Sequence, residues 1–151
     1  MSTGNVVVGV DPTAESRAAL RWAARYAELT GGTIRAVTVR DLPVQPGGPE
    51  RMTSRARDAP SPEETRAAVV GRLDEILDEA LDTDQAERAE KQILPGDPAE
   101  VLLDQSADAA VLVLGNAHHG ALGGAVTGSV ALQCLHHARC PVVLVPADER
   151  T

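Results

Sequence analysis

The sequence predicts a doubly wound α/β domain, and three observations carry that prediction. A short β-branched run, Val6 to Val10, is followed by a helix-patterned stretch and then by a second β-branched run at Thr33 to Val39. Apolar strand-like runs and helical stripes keep alternating through the rest of the chain. A glycine-rich turn over 115–129 leads from a buried-type strand into a helix start. A strand, a helix and a strand within about 35 residues form a βαβ unit, which requires parallel pairing and a right-handed crossover. Repetition of that unit gives a layered α/β sheet.

The elements follow in order. Val6-Val7-Val8-Gly9-Val10 is a run apolar on both faces, as in a parallel sheet. Asp11-Pro12-Thr13 ends it and offers capping groups. From Ala14 to Thr30 the spacing is helical: Leu20, Ala23, Ala24 and Ala27 share a face, while Arg17, Arg21, Arg25 and Glu28 fall mostly elsewhere. Gly31-Gly32 stops that helix. Asp41 to Ser61 holds Pro43, Pro46, Pro49, Pro60 and Gly47-Gly48 and reads as a mobile loop inside one domain of residues 1–151. The first half alone has too few strands to close a core.

Ser61-Pro62-Glu63-Glu64 is a helix start, with the stripe Val69, Leu73, Ile76, Leu77 and Ala80 behind it. Ala86 to Leu94 reads as a charged edge strand, favoured mainly by Ile93 and Leu94. Gly96-Asp97-Pro98-Ala99-Glu100 repeats the helix-start logic, Asp97 capping and Glu100 reaching back, for a helix ending near Ser106. Ala109 to Leu114 is a buried strand. Gly128 to Ala138 is a helix offering Val130, Leu132 and Leu135 for packing, and Pro141 to Val145 is the last strand. The reading gives five strands alternating with four helices.

Composition narrows the function. A chain of 151 residues buries roughly 70% of its unfolded surface. With no Phe, one Trp and one Tyr, its core must be aliphatic. The net charge of −8 repels phosphate backbones, so nucleic acid is not an expected partner. A nucleotide remains compatible if backbone N–H groups hold its phosphates. Cys134 and Cys140 are too few for a disulfide framework, which points to the reducing cytoplasm. Met1 to Asn5 does not read as a signal peptide, and no apolar stretch approaches the roughly 20 residues of a membrane helix.

The segment Gly115 to Ser129 carries the chemistry. Its glycines allow positive φ or a close approach to a ligand. The helix that follows directs free N–H groups and a partial positive charge at an anion, and Ser129 adds a hydroxyl there. These are the features of a phosphate-binding loop. The spacing Gly115-x2-His118-x9-Gly128-Ser129 resembles the Gly-x2-Gly-x9-Gly-Ser/Thr pattern of the ATP-binding branch of the universal stress protein (UspA-like) family. The start Val8-Gly9-Val10-Asp11, the turn Gly96-Asp97-Pro98-Ala99 and the ending from Leu135 to Val145 resemble that family as well.

The resemblance covers nearly the whole chain. It implies the adenine-nucleotide alpha hydrolase-like fold, with a five-stranded parallel sheet in order 3-2-1-4-5. It implies a stress-associated regulator that binds ATP or another adenine nucleotide, with magnesium as an optional companion. By position, Val10, Asp11 and Val39 would border base and ribose, and Gly115, Gly128, Ser129 and Val130 the phosphates. It further implies a homodimer through the last strand, Pro141 to Val145, and a client protein of unknown identity.

The sequence departs from the family at His118, where the pattern has glycine. An imidazole there either crowds the phosphates or donates a hydrogen bond to them. No Lys or Arg lies between Gly115 and Ser129, so altered nucleotide affinity is expected. Other readings stand beside these. Asp11 also suits a plain turn former, and Ser129 a plain first-turn helix residue. A nucleotide-independent interaction module is the main alternative function, and a slow ATPase the third. No catalytic constellation of a known type is present. The pairs His118–His119 and His136–His137 lack partners at ligand spacing. Trp22 with Tyr26, and the two cysteines, read as packing.

Overall fold

A computed structural model describes residues 4–40, 62–116 and 128–147. Its strands are β1 (Asn5–Gly9), β2 (Thr33–Arg40), β3 (Glu90–Pro95), β4 (Val111–Asn116) and β5 (Val142–Pro146). Its helices are α1 (Ala14–Thr30), α2 (Pro62–Ala80), α3 (Thr83–Arg88), α4 (Pro98–Gln105) and α5 (Ser129–His137). The strands form one sheet in the order β3-β2-β1-β4-β5. Every neighbouring pair is parallel, with Val7 opposite Arg35 on one side and Leu112 on the other. The expected doubly wound sheet and its 3-2-1-4-5 order are therefore present. The expected loop 41–61 and Ser61 lie outside the described residues.

The central strand explains the two-sided core. Val6, Val7 and Val8 have no exposed surface. Side chains alternate across a strand, so Val6 and Val8 join one apolar cluster and Val7 the other. The first cluster takes Leu20 and Ala23 of α1 and Leu73, Ile76 and Leu77 of α2. The second takes Leu102 of α4 and Ala131 and Cys134 of α5. Burying each fully enclosed leucine contributes roughly 1.5–3 kcal/mol. Trp22 and Tyr26 stack on one another, centroids 5.2 Å apart, against the first cluster.

Local signals set the element ends. Thr13 is the N-cap of α1, its hydroxyl accepting the Ser16 N–H at 3.2 Å. Gly31 closes the helix in the left-handed region at φ 75°, which a side chain disfavours. Asp97 caps α4 by accepting the Glu100 N–H at 3.1 Å.

Two expectations need correction. The segment expected as one strand from Ala86 to Leu94 divides: residues 83–88 form α3, and the edge strand starts at Glu90. A reciprocal capping box nucleates α3: Asp82 accepts from the Gln85 N–H, and the Gln85 side chain accepts from the Asp82 N–H. The charges of β3 behave as expected of an edge, with Glu90 paired to Arg35 and Lys91 to Asp74. In α5 the packed face is Ala131 and Cys134, while Leu132 and Leu135 are each 46% exposed. The helix is rotated so that its small residues, not its leucines, meet the sheet; Val130 does pack against the second cluster.

Candidate functional site

The strand order reverses beside β1: its chain neighbour β2 lies on one side and β4 on the other. In open α/β sheets this is where the crevice beyond the strand ends opens. A cavity of about 430 Å³ occupies that place. The ends of β1, β2 and β4 and the first turns of α1, α4 and α5 surround it. A somewhat larger hollow of about 530 Å³ lies at the opposite end of the sheet, beside Glu28, Gly31 and Arg88. It is away from the glycine-bearing turn, so position and not size selects the first cavity.

Of the eight residues singled out from the sequence, seven line the cavity: Val10, Asp11, Val39, Gly115, Gly128, Ser129 and Val130. His118, the eighth, lies outside the described residues. Val10 is buried, and its N–H donates to the Val37 carbonyl at 2.9 Å, carrying the β1–β2 ladder one residue past β1. Thr38 Oγ1 donates to the Val10 carbonyl at 3.1 Å. Both backbone groups of Val10 are thereby fixed, and its side chain packs in the first core cluster, while Val37, Val39 and Leu102, of the second cluster, form the apolar wall.

Asp11 serves the turn. One carboxylate oxygen accepts from the Thr13 N–H and hydroxyl, and its own N–H donates to Ser16 Oγ at 3.0 Å. Asp11 is exposed and lines the cavity.

Another wall is the start of α5. Its N-cap is Gly128, which gives no side-chain cap hydrogen bond. The first-turn N–H groups, those of Ser129, Val130 and Ala131, thus lack a side-chain cap and border the cavity. Such an end favours negative charge. Gly115 has a steric role: a Cβ built on it would lie 2.7 Å from the backbone carbonyl carbon of Glu15. The end of β4 can therefore pass against α1 only as glycine.

Sequence reasoning missed Glu15, Ser16, Pro98 and Leu102, which also line the cavity. Ser16 is 2% exposed and holds the β1–α1 turn from beneath. A polar residue early in a helix, five after the turn aspartate, was the available signal. Pro98 and Leu102 were legible only as helix-start and packing residues.

Among the described residues, no three His, Cys, Asp or Glu side chains come together as a metal site. No helix there is long and apolar enough to cross a membrane. His136 and His137 are exposed in the last turn of α5. Cys134 and Cys140 are free. Burial pushes both thiols up; the negative charge of Asp97 adds to this at Cys134, and hydrogen bonds with Ser106 and the Leu112 backbone oppose it at Cys140.

A parallel sheet in this order, with a cavity at its switch point beside an uncapped helix start, defines the class as a doubly wound α/β fold. Comparison with known proteins narrows it. The sequence pattern of the universal stress protein family (Usp) matches residues 3–146, and the chain belongs to that family. It is 33% identical over 147 residues to a universal stress protein of Mycolicibacterium smegmatis, covering 96% of this chain and 49% of that one. A universal stress protein of Mycobacterium tuberculosis is 31% identical over 154 residues, with the same coverage of each chain. The chain thus spans about half the length of these curated relatives. Among solved structures, a universal stress protein from Archaeoglobus fulgidus in complex with dAMP superposes with a TM-score of 0.60 at 24% identity, over 96% of this chain and 99% of that one. A universal stress protein in complex with cAMP gives 0.60 at 21% identity, over 96% and 98%.

Proposed function

We propose that this protein is a stress-associated regulator whose switch-point cavity binds an adenine nucleotide. The observation that carries the reading is the cavity: an apolar wall of Val37, Val39 and Leu102 adjoins an uncapped helix start at Gly128-Ser129-Val130 around a space of about 430 Å³. That volume lies within the 300–1,000 Å³ typical of small-ligand sites. A flat apolar base and an anionic phosphate need these two surfaces. The cAMP and dAMP complexes of proteins with the same fold support the choice of an adenine ligand.

In this reading Val10 and Val39 flank the base and Asp11 borders the ribose. Gly115, Gly128, Ser129 and Val130 border phosphate, and His118 stands at the second position of the motif. The oxygens of Asp11 and Glu15 suit a magnesium ion arriving with a triphosphate. The site residues, the cytoplasmic location, the single-domain organisation and a homodimer through β5 all belong to this proposal. The test is calorimetric titration with adenosine, AMP and ATP, with and without magnesium. Saturable binding that Val39→Asp abolishes is the expected result. Absence of binding by all three would favour an interaction module that works without nucleotide.

A further inference from the structure

Glu15 is half-buried and lines the cavity. It has no hydrogen-bond or ion-pair partner among the described residues. Gly115 fixes where it stands. A Cβ on Gly115 would lie 2.7 Å from the Glu15 Cβ, so Glu15 adjoins the end of β4 that the glycine motif assigns to phosphate. Asp11 lines the same cavity, and no Lys or Arg does among the described residues. The sequence from Gly115 to Ser129 contains no Lys or Arg either.

We infer that Glu15 is a specificity-determining residue: with Asp11 it makes the phosphate side of the cavity electronegative, so the site takes adenine nucleotides with a single phosphate in preference to a free triphosphate. The inference rests on the adenine-nucleotide reading of this cavity. Repulsion between fixed charge and ligand grows in proportion to the ligand's charge. The attraction available is mainly the uncapped start of α5, a helix end worth about half a charge, together with neutral N–H donors; the starts of α1 and α4 are already capped by Thr13 and Asp97. A mono- or cyclic monophosphate is held by those donors at small electrostatic cost. A triphosphate meets the same donors with several more negative charges, beside two carboxylates.

The experiment is calorimetric titration of the wild-type chain and Glu15→Gln with adenosine, AMP, cyclic AMP and ATP in buffer containing a metal chelator. Wild type is expected to bind AMP and cyclic AMP at least about tenfold more tightly than ATP. Glu15→Gln keeps the shape and removes the charge. It should tighten ATP binding by about tenfold and AMP by about threefold, and leave adenosine unchanged. Raising the ionic strength should tighten ATP binding to wild type, a readout that stands even if the variant folds poorly. Wild type that binds ATP as tightly as AMP overturns the inference and leaves the nucleotide reading intact. An adenosine shift equal to the ATP shift in Glu15→Gln does the same. Absence of binding by every ligand overturns both.

Discussion

The Asp11 N–H donates to Ser16 Oγ at 3.0 Å, and the Ser16 hydroxyl lies 3.4 Å from the Gly9 carbonyl it donates to. One buried hydroxyl thus ties the last residue of β1 to the turn that leads into α1. Ser16→Ala should leave the Asp11 N–H without its partner and lower stability by about 1–2 kcal/mol. It should also loosen the cavity rim and weaken nucleotide binding. Urea unfolding and a titration on the same preparation measure the two effects. An unchanged urea midpoint would show that solvent replaces the hydroxyl without loss.

Two glycines make opposite predictions from one measurement. At Gly115 a Cβ would press within 2.7 Å of the Glu15 backbone, so Gly115→Ala should cost about 1–3 kcal/mol as β4 and α1 separate. At Gly71, inside α2, a Cβ meets nothing within 4 Å. Gly71→Ala should stabilise by about 0.5–1 kcal/mol by restricting the unfolded chain. Thermal unfolding of both variants checks the signs. Equal shifts in the same direction would contradict the packing described at β4.

These positions mark where the sequence was readable. Val6-Val7-Val8 read correctly because a run buried on both faces has no polar alternation to confuse it. The caps at Thr13 and Asp97 read correctly because their chemistry is local. Asp82-Thr83-Asp84-Gln85 obeys the same capping rule and is masked in the sequence, because the strand expected from Ala86 to Leu94 overlaps the end of the helix it starts. The rotation of α5 was illegible for a different reason. Leucine is the larger apolar residue, but the space above β4 and β5 admits Ala131 and Cys134. At the site, turn residues were visible from composition. Glu15 and Gly115 are joined only by tertiary approach, which no spacing in the sequence encodes.

The thiols give a pH signature. Burial, and then the charge of Asp97, hold the folded-state pKa of Cys134 above the ordinary thiol value. The unfolded chain therefore releases its proton first as pH rises. Stability is complete below the ordinary thiol value and falls as pH climbs from there towards the raised folded value. Urea midpoints between neutral pH and the thiol range should decline for wild type, and the decline should be shallower for Cys134→Ala. Identical slopes would mean that Cys134 ionises equally in both states. Cys134 should also resist alkylation in the native protein, being fully buried, whereas Cys140 is partly accessible.

The β5 edge sets the expected assembly. Among the described residues β5 pairs with β4 alone, and Val142, Val143, Leu144 and Val145 are each only half-buried. An apolar edge of this kind calls for a partner strand. Light scattering at micromolar concentration should give twice the 15.8 kDa chain mass. Val143→Lys should return the single-chain mass with an unchanged circular dichroism spectrum. A wild-type mass of 15.8 kDa would rule out the β5 dimer.

His118 stands in the sequence where the family pattern places its second glycine, and a side chain there occupies space that glycine leaves free. Obstruction is the expected effect, since no Lys or Arg between Gly115 and Ser129 marks a site built for three phosphates. His118→Gly should then tighten ATP binding and change adenosine binding little. A donating imidazole gives the opposite result. Its removal would weaken ATP binding, and wild-type affinity would rise as pH falls through about 6.5, where an unperturbed histidine gains its charge. Salt separates this effect from that of Glu15. Obstruction is steric, so the gain in His118→Gly should persist at high ionic strength, whereas the gain in Glu15→Gln should shrink as charge is screened. Paired titrations at two salt concentrations and two pH values make the comparison. Unchanged affinity for both ATP and adenosine in His118→Gly would place His118 outside the site and break the match to the glycine pattern at that position.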